Sequence, residues 1–187
     1  MEIEYLKEFT SPEGHWMYIP DIYRPTIEDL TSTYKISSML EIGFNIGYST
    51  YMFLEWDTTQ KLEITSVDIA KHPCTVDAAA KMKELHPSRF SFIACSSRLA
   101  FKQFSDKEYD LVFIDGDHTA IGCLSDIQIA LDLQAPYVLF DDYHVSDTPV
   151  NDIRNIAEAH PDLTLEKLYP AGDMDFRIAL YSTPFKV

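Results

Sequence analysis

From Ser37 onward the chain alternates short runs of apolar and β-branched residues with longer stretches whose apolar positions recur every three or four residues. That alternation is the pattern of parallel strands joined by helices. The strand runs are Ser38 to Ile42, Leu62 to Asp68, Phe90 to Cys95, Leu111 to Asp115 and Tyr137 to Asp141, and helices are expected to begin near Tyr48, Val76, Arg98, Ala120 and Val150. Right-handed crossovers would stack these helices on both faces of one twisted sheet. Two later runs, Leu163 to Leu168 and Phe176 to Tyr181, are joined by Tyr169-Pro-Ala-Gly-Asp-Met-Asp175, which leaves no room for a crossover helix. They should pair antiparallel. The predicted class is α/β, a doubly wound, mostly parallel sheet of seven strands with a C-terminal antiparallel hairpin.

Residues 1–35 break the pattern. Pro12, Pro20 and Pro25 divide them, and only Thr26 to Tyr34 reads as a helix. They are expected to form an N-terminal flap beside the carboxyl edge of the sheet, with 36–187 as the core and 1–187 as one domain. Tyr48, Tyr51, Met52 and Trp56 share one helical face and are expected to pack on the sheet. His15-Trp-Met-Tyr18 is read as an aromatic anchor for the flap.

Composition narrows the choice of partner. The 187 residues are 46% hydrophobic, enough for one self-sufficient core. A formal net charge of −15, with no cluster of Lys and Arg, disfavours nucleic acid and anionic membranes and leaves cations and neutral small molecules. The first residues carry acids and no apolar signal core, and no run approaches the roughly 18 apolar residues of a membrane span. A soluble, cytoplasmic protein is expected. Cys74, Cys95 and Cys123 are odd in number and lack Cys-x-x-Cys spacing, so they read as buried free thiols.

Ligands of open α/β sheets bind outside the carboxyl ends of the strands. The first such turn reads Met39-Leu-Glu-Ile-Gly-Phe-Asn-Ile-Gly-Tyr-Ser-Thr50. Gly43 and Gly47 permit a sharp turn and close approach to a ligand, but the second and third glycines of a dinucleotide fingerprint are replaced by Asn45 and Tyr48. Glu41, Gly43, Asn45 and Gly47, with Ser49 following, resemble the first motif of class I S-adenosylmethionine-dependent methyltransferases. That resemblance implies a Rossmann-like sheet and a loop around the methionine part of the cofactor. Asp68 ends the second strand at the spacing, about 20 positions after Gly47, of an acid that accepts from ribose hydroxyls. Ser96 falls where the family often has Gly-Asp-Ser beside adenine, whereas Cys95 stands in place of the usual acid.

The fourth strand ends in Val112-Phe-Ile-Asp-Gly-Asp-His118 and the fifth in Val138-Leu-Phe-Asp-Asp-Tyr-His144. Neighbouring strands lie about 4.8 Å apart, so adjacent placement would gather these carboxylates within reach of one ion. Mutual repulsion would raise their pKa values, and a divalent cation would relieve it. Successive strand residues face opposite sides, so Asp141 and Asp142 can both serve only if the strand ends there. The arrangement is similar to the metal site of cation-dependent O-methyltransferases of the catechol, caffeoyl-coenzyme A and macrocin types. The resemblance implies Asp115, Asp141 and Asp142 as ligands of Mg²⁺ or a similar ion, with Asp115 also at the cofactor. It implies Asp117, His118 or His144 as the base that deprotonates a small-molecule hydroxyl.

Two alternatives come from other classes. Val112-Phe-Ile-Asp-Gly-Asp-His-Thr119 also fits the nucleophile motif of haloacid dehalogenase-like magnesium phosphatases, with Asp115 and Asp117 as the acids. That family, however, places its nucleophile on the first strand, and gives Gly43 to Ser49 no role. A non-catalytic cofactor-binding protein is the other reading. The short chain and its light covering over the active edge leave room for a second copy as partner.

Overall fold

The computed structural model describes residues 9, 20–144, 152–169 and 176–186. His15 to Tyr18, Val150 and the turn at 170–175 lie outside them. Seven strands, β1 (Ser38–Ile42), β2 (Glu63–Asp68), β3 (Phe90–Ala94), β4 (Leu111–Ile114), β5 (Tyr137–His144), β6 (Thr164–Tyr169) and β7 (Phe176–Ser182), form one sheet in the order β3-β2-β1-β4-β5-β7-β6. The first five pair in parallel, and β7 runs antiparallel to both β5 and β6. This is the predicted Rossmann-like sheet.

The helices are α1 (Pro20–Ser32), α2 (Tyr48–Trp56), α3 (Thr75–Leu85), α4 (Ser97–Phe104), α5 (Ala120–Asp132) and α6 (Asp152–Ala159). Strand residues alternate between two apolar layers. One layer holds Met39, Phe53, Phe90, Phe113 and Leu139, and the other holds Leu40, Phe104, Val112, Ile127 and Phe140. Each central strand is therefore covered on both faces, as a parallel sheet requires. Met52 is fully buried while Tyr48, Tyr51 and Trp56 pack at the margin of the first layer.

Two expectations change. Helix α1 begins six residues before Thr26 and runs through Pro25. An interior proline costs a helix roughly 3 kcal/mol. Here the loss is offset by burial of Tyr23, Ile27 and Leu30, one stripe set into the first layer. The fifth strand continues past Asp141 to His144, with a register shift between Phe140 and Tyr143. Cys123 is buried, but Cys74 and Cys95 are only half-buried, and none of the three forms a disulfide. Among the described residues no helix is long and apolar enough to cross a membrane.

Candidate active site

The turn after β1 is built on backbone that only glycine tolerates. Gly43 has φ +102°, and a Cβ there would stand 2.0 Å from the Asp115 carbonyl oxygen. The loops after β1 and β4 thus pass in direct contact. Gly47, at φ +80°, precedes α2 with the Phe44 ring against its α-carbon. Between them Asn45 adopts φ +51°, a left-handed conformation asparagine enters more readily than most residues.

Asp68 holds this turn in place. Its Oδ2 accepts the Phe44 and Asn45 amides at 2.9 Å each, and its Oδ1 accepts the Ala70 amide at 2.7 Å. Glu41 works from beneath. It is fully buried, and its carboxylate accepts from the hydroxyls of Ser49, Thr50 and Ser66. Burial nonetheless pushes its pKa up to about 7. Thr50 and Ser66 were not legible as partners, since their role depends on helix and strand meeting over one carboxylate.

Strands β4 and β5 pair with Ile114 opposite Phe140, so Asp115 and Asp141 leave the sheet side by side. The bulge does what a strand end was expected to do. Asp142 takes φ +51° within it, and its carboxylate joins the same side as Asp115. One ligand atom each from Asp115, His118 and Asp142 lies within 4.8 Å of the others. His118 Nδ1 stands 3.5 Å from Asp142 Oδ2, and its Nε2 stands 3.7 Å from Asp115 Oδ1. Facing these carboxylates, the imidazole is pushed up to about 9, chiefly by the adjacent Asp115 carboxylate.

Asp115 itself is raised to about 6 by burial and by the nearby charges of Asp142 and Asp68, against the opposing pull of His118. Asp141 is raised further in the same direction by burial and by Asp115 and Asp142. Its Oδ2 accepts the Tyr23 hydroxyl of α1 at 2.6 Å, but its Oδ1 is buried without a hydrogen-bond partner. A buried carboxylate oxygen left in that state is costly. The oxygen-rich donor set suits a hard divalent cation, and the orphaned Oδ1 is an observation in favour of one. Tyr23 was missed because Pro25 disguised the helix that carries it.

Tyr23, Asp115, His118 and Asp142 open on a cavity of about 840 Å³, while Asp141 stands behind its wall, and the volume is within the range usual for small-molecule sites. Gly43, Asn45, Ser49, Asp68, Ser96 and Asp115 line it, together with Asp117, His118 and Asp142. Glu41 and Gly47 lie behind the wall and shape it. His144 ends β5 opposite Phe176 and does not line this cavity. Asp117 accepts the Thr119 amide at 3.0 Å, and Thr119 in turn caps α5 by accepting the Gly122 amide at 3.1 Å. A Cβ at Gly122 would meet the Asp117 side chain at 2.4 Å. At the other end Asp126 of α5, also missed by sequence reasoning, is buried and accepts the Ser97 hydroxyl at 2.9 Å. Burial, reinforced by Asp117, lifts its pKa to about 6.

Solved structures share this fold. The cofactor-bound protein Rv0187 from MTB superposes with a TM-score of 0.70 at 18% identity, over 91% of this chain and 83% of that one. The O-methyltransferase from Bacillus cereus, in complex with SAH, gives 0.66 at 18% identity over 88% and 81%. The SAH-bound methyltransferase PaMTH1 of Podospora anserina gives 0.63 at 17% identity over 86% and 77%. At these identities the likeness is one of fold. No curated protein matches the chain significantly. The phosphatase alternative loses its footing, since Asp115 follows β4 and not the first strand. A methyltransferase-domain family model matches residues 40–143, a span that takes in the glycine turn, Asp68 and every carboxylate of the cluster. The chain therefore belongs to that family, and is a class I S-adenosylmethionine-dependent methyltransferase.

Proposed function

We propose that the protein is an O-methyltransferase acting on a small-molecule hydroxyl, with a divalent cation, Mg²⁺ foremost, held by Asp115, Asp141 and Asp142. The observation that carries the cation is the orphaned Oδ1 of Asp141, buried beside two further carboxylates. S-adenosylmethionine supplies an electrophilic methyl group, and a cation in the cluster would lower the pKa of a hydroxyl brought to it. The glycine turn and Ser49 would take the methionine part, and Asp68 the ribose. Ser96 lies on the adenine side.

Within this chain, proton removal falls to Asp117. It lines the cavity beside the cluster, whereas both ring nitrogens of His118 face carboxylates, Nδ1 that of Asp142 and Nε2 that of Asp115. The substrate hydroxyl gives its proton to Asp117 and its oxygen takes the methyl group, with S-adenosylhomocysteine as the second product. Rate enhancement is mainly placement, because the methyl donor is already reactive. Burial of Tyr23, Ile27 and Leu30 in the sheet's own core, with Tyr23 also at the cavity, supports treating α1 and the sheet as one unit. The net charge of −15 speaks against nucleic acid or anionic membrane as partner.

Calorimetric titration of S-adenosylmethionine and S-adenosylhomocysteine, with and without MgCl₂, tests the reading on wild type, Asp68→Ala and Asp115→Ala. A radiolabelled-methyl assay on a panel of phenols and sugars follows. Expected are binding weakened in Asp68→Ala and Mg²⁺-dependent transfer abolished in Asp115→Ala. Transfer indifferent to Mg²⁺ and chelator would remove the cation from the proposal.

A further inference from the structure

The cavity runs away from the acidic cluster toward the first turn of α4 and one face of α5. That end lies between the first turn of α4, which follows β3 and packs on β2, and α5, which follows β4 and packs on β4. The reacting methyl must be presented at the cluster. With ribose at Asp68, the base of the cofactor is left at the far end.

Two features there match a flat, amino-bearing ring. Ile69 and Ile121 line the cavity yet are 63% and 76% exposed, apolar surface that a planar ring would cover. Asp126, by contrast, is only 3% exposed and lines the same cavity. Its Oδ1 accepts the Ser97 hydroxyl at 2.9 Å, while its Oδ2 has no hydrogen-bond partner among the described residues. That free oxygen lies 3.6 Å from where a Cβ on Gly116 would stand, under the loop after β4. Cys95 has no carboxylate to offer an exocyclic amine, and is itself engaged through its amide with the Asp68 carbonyl oxygen.

We infer that Asp126 is the specificity-determining residue that accepts the adenine amino group of the cofactor, a role Cys95 cannot fill, with Ser97 fixing the carboxylate's orientation. The inference rests on the S-adenosylmethionine reading and assigns one contact within it. Asp126 touches no reacting atom, so its role is selection of the base.

The test compares S-adenosylhomocysteine with S-inosylhomocysteine, in which an exocyclic carbonyl oxygen replaces the amino group, by calorimetry on the full chain. For wild type the adenosine form should bind tighter on the order of 10- to 100-fold, since the inosine form sets an acceptor against an acceptor. In Asp126→Asn, whose amide can donate to that oxygen, the preference should collapse or invert while the melting temperature is kept. Asp126→Ser, which removes the carboxylate without a long donor, should bind both ligands within about threefold, a loss of discrimination of that same size. Equal wild-type affinities, or Asp126→Asn with wild-type discrimination, would overturn the inference while leaving the methyltransferase assignment intact. Failure of wild type to bind either ligand would overturn both, and so is distinguishable.

Discussion

Two sets of buried and half-buried acids lie at the carboxyl edge of the sheet, and they are treated in opposite ways. Glu41 accepts three hydroxyls, and Asp68 accepts three backbone amides. Asp115 and Asp142 converge with His118 between them, and Asp141, which feels the charge of both, keeps one oxygen unpartnered. A carboxyl group surrounded by donors serves the fold, because its oxygens are already hydrogen-bonded. Carboxylates set against each other lower stability and persist where chemistry needs them.

The largest effect separates the two sets outright. Asp115→Ala should reduce methyl transfer on the order of 10³-fold, in line with loss of an electrostatic stabiliser at the reacting centre. Its unfolding free energy should stay level or rise, because a repelling buried charge is gone. A stability loss as large as that of the next variant would place Asp115 with the structural acids. Gly43→Ala attacks the scaffold that brings the two sets together. With φ +102° and the Asp115 carbonyl oxygen at 2.0 Å from the new Cβ, denaturant unfolding should show a loss of about 3 kcal/mol or more.

Asp68→Ala removes an acceptor from three amides, so about 2 kcal/mol of stability should go along with cofactor affinity, read by urea melts and calorimetry. Loss of affinity with full stability would mean that the acid is present for the ligand alone.

The smallest effect is a pH signature of Glu41. Its carboxyl lies at about 7 in the folded chain, against about 4.3 when unfolded. Between those values the folded state keeps a proton that the unfolded state has released. The stabilisation is complete below about pH 4.3, declines as pH rises, and is gone above about 7. Glu41→Gln should flatten that decline, amounting to about 1–3 kcal/mol between pH 5 and 8, in thermal or urea melts. An unchanged profile would show that the three hydroxyls hold Glu41 ionised throughout.

Much of this was legible in the chain itself. Apart from the far end of β5, the strands and the starts of the five helices after the first fell within about two residues of their expected places, because apolar periodicity is a local property. The glycine turn was readable as well, since positive φ and close backbone approach leave glycine few substitutes. Asp68, Ser96, Asp115, Asp117 and His118 could be singled out because they follow strand ends of a parallel sheet, and all five line one cavity.

What the sequence by itself determined, then, was the order of elements and the acids at their ends, both carried by neighbours in the chain. Only tertiary structure decided which acids are satisfied. The bulge that turns Asp142 toward Asp115, the helix through Pro25 that brings Tyr23 to Asp141, and the meeting of Ser97 with Asp126 each join residues far apart in the chain. Burial and donor geometry are set by packing across the sheet, and one-dimensional spacing carries no record of them.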